Sequence, residues 1–144
     1  MKNAFAFLAL GFVFTFAGHV HADAPPGRYV ATADTVIDTR TGLIWQRASG
    51  PQLDFQAANN YCANLALGGT WRLPSIKELV TLVDYGRAFP AIDSTAFPGT
   101  PTLATWSSTR RAGTPTQFAL MIGFGNGATS YSPVTSAHWV RCVR

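Results

Sequence analysis

The chain has 144 residues, of which 47% are hydrophobic and 12% are charged, and its formal net charge at pH 7 is +4. Eleven Lys and Arg residues stand against seven Asp and Glu residues, and no lysine-rich run occurs. A nucleic-acid-binding protein concentrates its basic residues on one face or in one run, so this class is not favoured. With so few His and Cys residues, we also expect no metal site and no cofactor.

The first 22 residues have the pattern of a signal peptide. Lys2 gives a short basic start, residues 4–17 are almost wholly apolar, and Val20-His21-Ala22 offers small residues for a signal peptidase. The apolar run is shorter than the roughly 20 residues of a spanning helix. We predict a signal peptide over residues 1–22 and one exported domain over residues 23–144, periplasmic or secreted, with no membrane span after cleavage. An uncleaved membrane anchor is the alternative.

The first half of the exported domain predicts a β-hairpin and then a helix. Residues 29–31 are weakly strand-like, and residues 36–38 and 43–46 flank a turn that contains Gly42. After a loop over residues 47–53, Asp54 is placed to cap a helix that extends to about Leu67. The glycines that follow are expected to end it.

A central motif, defined here as residues 71–79, has the sequence Trp-Arg-Leu-Pro-Ser-Ile-Lys-Glu-Leu. Trp71, Arg72 and Leu73 alternate as in a half-buried strand, and Pro74 cannot continue a ladder. The motif therefore predicts a short strand that ends where a second helix begins.

The same motif contains the start signal of that helix. Ser75 and Glu78 are three residues apart before an apolar run, which is the signature of a capping box. The predicted helix ends near Tyr85, with Gly86 as its C-cap. Ligand binding by Arg72, Lys77 and Glu78 is the alternative to this structural interpretation.

The second half predicts an irregular segment followed by strands. Residues 87–103 lack periodicity, and Phe89, Ile92 and Phe97 are expected to fix them to the core. Strands are predicted at residues 104–108, 118–124, 128–131 and 138–143. A loop is predicted at residues 109–116, a hairpin turn at residues 125–127 and a break at residues 132–133.

The four tryptophans fall in predicted strands: Trp45, Trp71, Trp106 and Trp139. Core packing is the expected role of such aromatic residues. A platform on which a sugar ring stacks is the alternative, and it requires an exposed indole face. These elements together predict an α+β domain with two helices packed on irregular, mostly antiparallel strands, whose N-terminal hairpin pairs with the C-terminal strand.

Several fragments occur in one order along the chain: Thr-Gly-Leu-Ile-Trp-Gln at 41–46, Tyr-Cys at 61–62, the central motif, Val-Asp-Tyr at 83–85, Trp-Ser-Ser-Thr at 106–109 and Val-Arg-Cys-Val-Arg at 140–144. Together they resemble the Lcl C-terminal domain family, a bacterial family of domains of unknown function named after Legionella collagen-like protein. The resemblance implies a fold related to C-type lectins and formylglycine-generating enzymes. It covers nearly the whole exported domain.

Two cysteines remain, Cys62 and Cys142, and an exported chain makes a disulfide between them the default expectation. The rival interpretation is a pair of catalytic thiols, because formylglycine-generating enzymes use two cysteines in oxygen chemistry. The positions of both cysteines in the resembled family favour the structural bridge.

The sequence offers little catalytic chemistry. His138 is the only histidine after residue 22, no Gly-x-Ser-x-Gly elbow is present, and the acidic residues lack the spacing of an EF-hand loop. The motifs of calcium-dependent sugar-binding lectins are missing too. We therefore expect a non-catalytic binding or adhesion module rather than an enzyme.

The expected ligand surface is basic. Arg110 and Arg111 are adjacent on a predicted loop, Arg87 begins the irregular segment, and guanidinium groups bind sulfate and carboxylate in bidentate fashion. Some domains of the resembled family belong to adhesins that bind sulfated glycosaminoglycans, which implies an anionic polysaccharide as the partner. A solvated loop is the plain alternative for these arginines. An envelope protein as partner of a structural domain, and an enzyme of the formylglycine-generating type, remain open.

Overall fold

Two sheets and two short helices make up the computed structural model, which describes residues 24–144. The predicted signal peptide and its cut before Asp23 lie outside the described residues. The strands are β1 (Tyr29–Ala31), β2 (Thr35–Asp38), β3 (Ile44–Gln46), β4 (Gln52–Leu53), β5 (Ala104–Arg110), β6 (Phe118–Gly123), β7 (Ala128–Pro133) and β8 (His138–Trp139). The helices are α1 (Phe55–Ala63) and α2 (Ile76–Val80). The prediction of an α+β domain is confirmed, whereas the relation to C-type lectins stays a prediction.

The N-terminal sheet has three antiparallel strands in the order β1-β2-β3. Its β2–β3 pair is the predicted hairpin, with Val36 opposite Trp45. Gly42 has a φ of 75°, a left-handed conformation that glycine adopts without steric cost. The sequence Thr-Arg-Thr-Gly therefore suits this turn.

The second sheet has five strands in the order β4-β8-β5-β6-β7. Its pairs are antiparallel except for a single parallel pair between β5 and β8.

Two predicted strand boundaries in the second sheet were wrong. Strand β5 continues through Arg110 into the predicted loop, because the Arg111 N–H still bonds to Phe118 O at 3.0 Å. Strand β7 continues through the predicted break to Pro133, which pairs with Phe118.

Both helices begin at the predicted caps. The Asp54 carboxylate accepts from the Ala57 N–H at 2.8 Å. Ser75 and Glu78 form the complete capping box, in which each side chain accepts from the other residue's backbone N–H.

Both helices end earlier than predicted. Helix α1 ends at Ala63, not near Leu67, because the Asn64 side chain donates to Asn60 O at 2.8 Å and ends the α-helical ladder. Helix α2 ends at Val80, not near Tyr85. There the Thr81 hydroxyl donates to Glu78 O at 2.7 Å, so it takes up one of the terminal carbonyls.

The last residues leave the second sheet and join the two halves of the domain. Strand β8 is only two residues long, so the predicted closing strand over residues 138–143 was too long. Ile44 and Arg144 exchange two backbone hydrogen bonds of 2.9 Å, which confirms the predicted pairing of hairpin and C-terminal segment. Arg72 and Val143 form a further antiparallel bridge, so the predicted strand at residues 71–73 is reduced to this one pair.

The core has two parts, one on each side of the second sheet. One part lies under α2 and contains Trp45, Ile92 and Phe97. The other lies under α1 and contains Trp106 and the two cysteines. The predicted core position of Phe89 was wrong: this residue is 77% exposed, because its backbone has a φ of +51° and its N–H bonds to Gly125 O.

Candidate functional site

The central motif is held together by a charged pair. Arg72 donates two hydrogen bonds to the Glu78 carboxylate, at 2.9 and 2.7 Å. These bonds, together with those from the Ser75 N–H and hydroxyl, lower the pKa of Glu78 to about 2, although partial burial acts in the opposite direction. Trp71 and Leu73 are buried, and the Pro74 carbonyl accepts from the Ser108 N–H at 2.7 Å. The side chains of Arg72, Ser75 and Glu78 are thus engaged with one another, whereas Lys77 is exposed.

The Trp-Ser-Ser-Thr fragment completes this arrangement. Trp106 Nε1 donates to Leu53 O, and the Ser107 hydroxyl donates to Leu120 O. The Thr109 hydroxyl oxygen accepts from the Ile76 N–H at 3.0 Å, at the first residue of α2. The fragment therefore fixes the start of α2 to β5, which is a structural role.

Arg141 is a fully buried cation. Its Nη1 donates to Gln46 O and Arg47 O at 2.7 and 2.6 Å, and its Nη2 donates to Ser49 Oγ and Thr100 Oγ1 at 2.9 and 2.8 Å. Burial lowers the pKa of Arg141 to about 9. The guanidinium joins the end of β3, the following loop and the irregular segment through neutral acceptors. Its position inside the core removes it from any surface site.

The disulfide predicted between Cys62 and Cys142 is present, with an S–S distance of 2.02 Å. Both residues are fully buried, and the described part of the chain contains no free cysteine. A disulfide persists in oxidising compartments, so the bridge is compatible with a location outside the cytoplasm.

The two adjacent arginines diverge to opposite faces of the second sheet. Arg110 pairs with Ala119, while Tyr131 pairs with the next residue, Leu120. Because side chains alternate between the faces of a strand, Ala119 and Leu120 point to opposite sides. Arg110 shares the Ala119 side, and Arg111 lies over the Tyr131 ring with its Cζ 3.8 Å from the centroid. The expected pair of neighbouring charges is therefore divided between two surfaces.

Arg110 lies at a small cleft beside α1 whose lining includes both polar and apolar side chains. Its Cζ is 3.8 Å from the centroid of the Phe55 ring, a cation–π distance. The cleft has a volume of about 300 Å³, and Gln56, Thr116 and Thr135 are among its lining residues. The stacked guanidinium thus has a defined position, while Arg110 itself remains exposed to solvent.

Arg87 lies elsewhere, beyond the end of α2. Its Nε is 3.2 Å from the Asp84 carboxylate, in an ion pair whose side chains are mostly buried. It lines an open cleft of about 290 Å³ together with Gly27, Asp93 and Thr95. The structure therefore does not bring Arg87 together with Arg110 or Arg111 in one site.

The remaining chemical groups offer few alternatives. Residues 24–144 contain no cluster of three or more His, Cys, Asp and Glu side chains that could hold a metal ion. His138 Nε2 lies 2.8 Å from Ser132 Oγ, and its ring packs edge-on against Trp106. Partial burial lowers the pKa of His138. Trp45, Trp71 and Trp106 are buried, which confirms the core interpretation for these three and leaves Trp139 half-buried.

A protein-family model described as the Lcl C-terminal domain matches residues 34–144. The chain belongs to the Lcl C-terminal domain family. A comparison with curated proteins gives no match. In this Lcl C-terminal domain, most of the fragments that carry the resemblance contribute buried residues, such as Trp45, Cys62 and Trp106, whereas Tyr85 is 74% exposed. Within residues 24–144, no helix has both the length and the apolar character needed to cross a membrane.

Sequence reasoning missed the aromatic rings on which Arg110 and Arg111 stack. Phe55 beneath Arg110 lies 55 residues earlier, and Tyr131 beneath Arg111 lies on a strand predicted to end at that residue. No local pattern connects Phe55 to Arg110. For Arg111, the hairpin turn at residues 125–127 was a usable signal, because it sets β7 against β6 in a fixed register.

Proposed function

We propose that this exported domain is a binding module for anionic glycans and that Arg110 is its main anion contact. The observation that carries the proposal is the exposed guanidinium stacked on the Phe55 ring beside a cleft that contains both polar and apolar side chains. Stacking restricts the side chain before a ligand arrives, which lowers the entropic cost of binding. A guanidinium then offers two parallel N–H groups to a sulfate or carboxylate.

The groups around Arg110 suit a sugar. Thr116, Thr135 and Gln56 line the same cleft, and hydroxyl and amide groups exchange hydrogen bonds with sugar hydroxyls. The Gln56 amide also donates to Asn60 Oδ1 at 3.3 Å. Asp54 also lines the cleft, but its carboxylate is used as the N-cap of α1. One exposed cation in water gives a weak and salt-sensitive contact.

The test compares single Arg→Ala variants for binding to immobilised heparin at low salt. We expect Arg110→Ala to weaken binding about tenfold, the lower end for loss of a charge-assisted hydrogen bond. Arg111→Ala should have a smaller effect, because that side chain faces the other side of the sheet. Arg40→Ala, in the exposed hairpin turn, is the matched control for loss of one charge.

Three results would reject the glycan proposal. These are binding by Arg110→Ala equal to that of the wild type, equal losses for all three variants, and no heparin binding at low salt. Equal losses would indicate attraction by net charge alone. A fall in wild-type binding between low and physiological salt is expected in the successful case.

The second candidate is a structural domain whose partner is another envelope protein. The uncharged edge of β7 beside an apolar groove favours it. An enzyme of the formylglycine-generating type has less support. Its cysteine chemistry needs free thiols, and Cys62 and Cys142 are bridged and buried.

A further inference from the structure

Among residues 24–144, strand β7 is an open edge of the second sheet. It lies last in the order β4-β8-β5-β6-β7, and its six residues all pair with β6 on one side only. The sequence of β7 is Ala-Thr-Ser-Tyr-Ser-Pro, without a charged residue, and its register has no bulge. Proteins usually protect such edges with charges, prolines, bulges or covering segments, because an unprotected edge pairs readily with another strand. In β7 the proline is at the last residue, Pro133, so Thr129 and Tyr131 keep their N–H groups.

The register identifies the backbone groups that point outward. Gln117 and Val134 are the next residues along the two strands after the Phe118–Pro133 pair, and the Val134 N–H donates to Gln117 O at 2.9 Å. That pair is therefore one of the non-hydrogen-bonded pairs of the ladder, and such pairs alternate with bonded ones. Thr129 and Tyr131 belong to the same class as Pro133. Their N–H and C=O groups point away from β6, toward the open side.

A groove lies beside this edge on the α2 face of the sheet. Its volume is about 550 Å³, and it is lined by Ile76, Lys77, Val80, Leu120, Thr129, Ser130 and Tyr131. The lining is mostly apolar, and Tyr131 is 48% exposed at its border. A strand added to β7 would place alternate side chains on this face, close to Ile76 and Val80.

The charges around the groove select the partner. Lys77 is part of the lining, and the Arg111 guanidinium lies against the Tyr131 ring. The described residues that line the groove include no carboxylate. Two copies of this chain joined at β7 would bring these cations toward each other, and the chain already has a formal net charge of +4. Acidic side chains on a different polypeptide would instead be attracted.

We propose that β7 accepts an extended acidic segment of a partner protein as an additional antiparallel strand. Thr129 and Tyr131 provide the backbone hydrogen bonds, and the groove beside α2 receives apolar side chains of the segment. Lys77 and Arg111 attract its carboxylates. This surface is separate from the Arg110 cleft, which lies on the opposite face, so the two proposals can fail independently.

The experiment begins with a displayed library of random 12-residue peptides, selected on the purified domain. We expect enrichment of peptides in which apolar residues alternate with Asp or Glu. An enriched peptide is then synthesised, and its dissociation constant is measured by fluorescence anisotropy. Hydrogen exchange of the complex should show slower exchange at the Thr129 and Tyr131 amides than in the free domain.

Two variants separate strand addition from contact by side chains. Thr129→Pro removes the N–H that points away from β6. Pro133 occupies the same kind of position, a non-hydrogen-bonded pair with β6, so a proline there removes no bond to β6. Thr129→Val is the matched control, since it keeps the N–H and the branched shape. We expect at least tenfold weaker peptide binding for Thr129→Pro and no more than a twofold change for Thr129→Val. Thermal unfolding of both variants checks that they are folded.

Four results would overturn the proposal. They are the absence of an enriched peptide, enrichment of basic peptides, equal binding by the proline and valine variants, and concentration-dependent dimers whose formation protects the same amides. The last result would assign the edge to a second copy of the chain. If Thr129→Pro fails to fold, the exchange rates of the Thr129 and Tyr131 amides in the wild-type complex decide alone. Unchanged rates at saturating peptide would then reject strand addition.

Discussion

The segment at residues 140–144 and strand β7 both lie at the border of a sheet, but their backbones have opposite surroundings. In the segment, Arg144 and Val143 exchange hydrogen bonds with Ile44 and Arg72, and residues 140–143 are buried. In β7, one side of the backbone faces β6 and the other has no neighbouring strand among the described residues.

This difference separates stability from recognition within one small domain. The buried segment brings together the hairpin, the central motif and the disulfide, so changes there should affect the free energy of unfolding. Strand β7 and the arginines near it contribute fewer contacts to the core, so changes there should affect binding.

Removal of the disulfide should have the largest effect on stability. The bridge closes a loop with a sequence separation of 80 residues, and loop entropy gives it about 4 kcal/mol. We expect the Cys62→Ala, Cys142→Ala double variant to lose about this free energy of unfolding in urea titration. The folded fraction of this variant should still bind the peptide that was selected for binding at β7. A loss below about 1 kcal/mol would show that residues 140–144 do not depend on the bridge.

Replacement of the buried arginine should have the next largest effect. Arg141→Met removes four hydrogen bonds and leaves buried acceptors without donors, for which we expect a loss of about 3 kcal/mol. Arg111→Met makes the same chemical change on the β7 side and should cost less than about 1 kcal/mol. Urea titration of both variants measures the difference. Equal losses would contradict the division between the two regions.

The smallest effect concerns the pH dependence of the central motif. The pKa of Glu78 in the folded domain is about 2, below its ordinary value of 4.5, so its stabilising contribution is complete above pH 4.5 and is lost as the pH falls through 2. Because the pair is partly exposed, we expect about 1 kcal/mol. The stability difference between wild type and Glu78→Gln should thus shrink from pH 6 to pH 2. A constant difference would mean that the charge of Glu78 is not involved.

The parts of the fold predicted from sequence are those with a local chemical signal. The capping box needs only Ser75 and Glu78 at the right spacing, and Gly42 marks the turn between β2 and β3. Helix ends were less predictable, because Thr81 and Asn64 use side-chain hydrogen bonds that apolar periodicity does not reveal. The exposed position of Phe89 depends on its contact with the distant hairpin turn.

The candidate site was predicted only as a list of residues, not as an arrangement. Arg110 and Arg111 were expected on a loop, where neighbouring side chains have no fixed relation. The structure places Arg110 in β5 and continues the ladder through the Arg111 N–H, and strand geometry then sends the two side chains to opposite faces. The boundary of one strand therefore changed the expected surface from one joint site to two separate ones.

The buried segment also determines when the domain can fold. The Gln46 side chain accepts from the Cys142 N–H across 96 residues, and Arg141 reaches Gln46 O across 95. Contacts between such distant residues must close large loops, which slows folding. The hairpin at β2–β3 and the central motif are both synthesised long before the segment that joins them. Until residues 140–144 join them, we expect each of these early elements to lack its partner and to expose apolar surface.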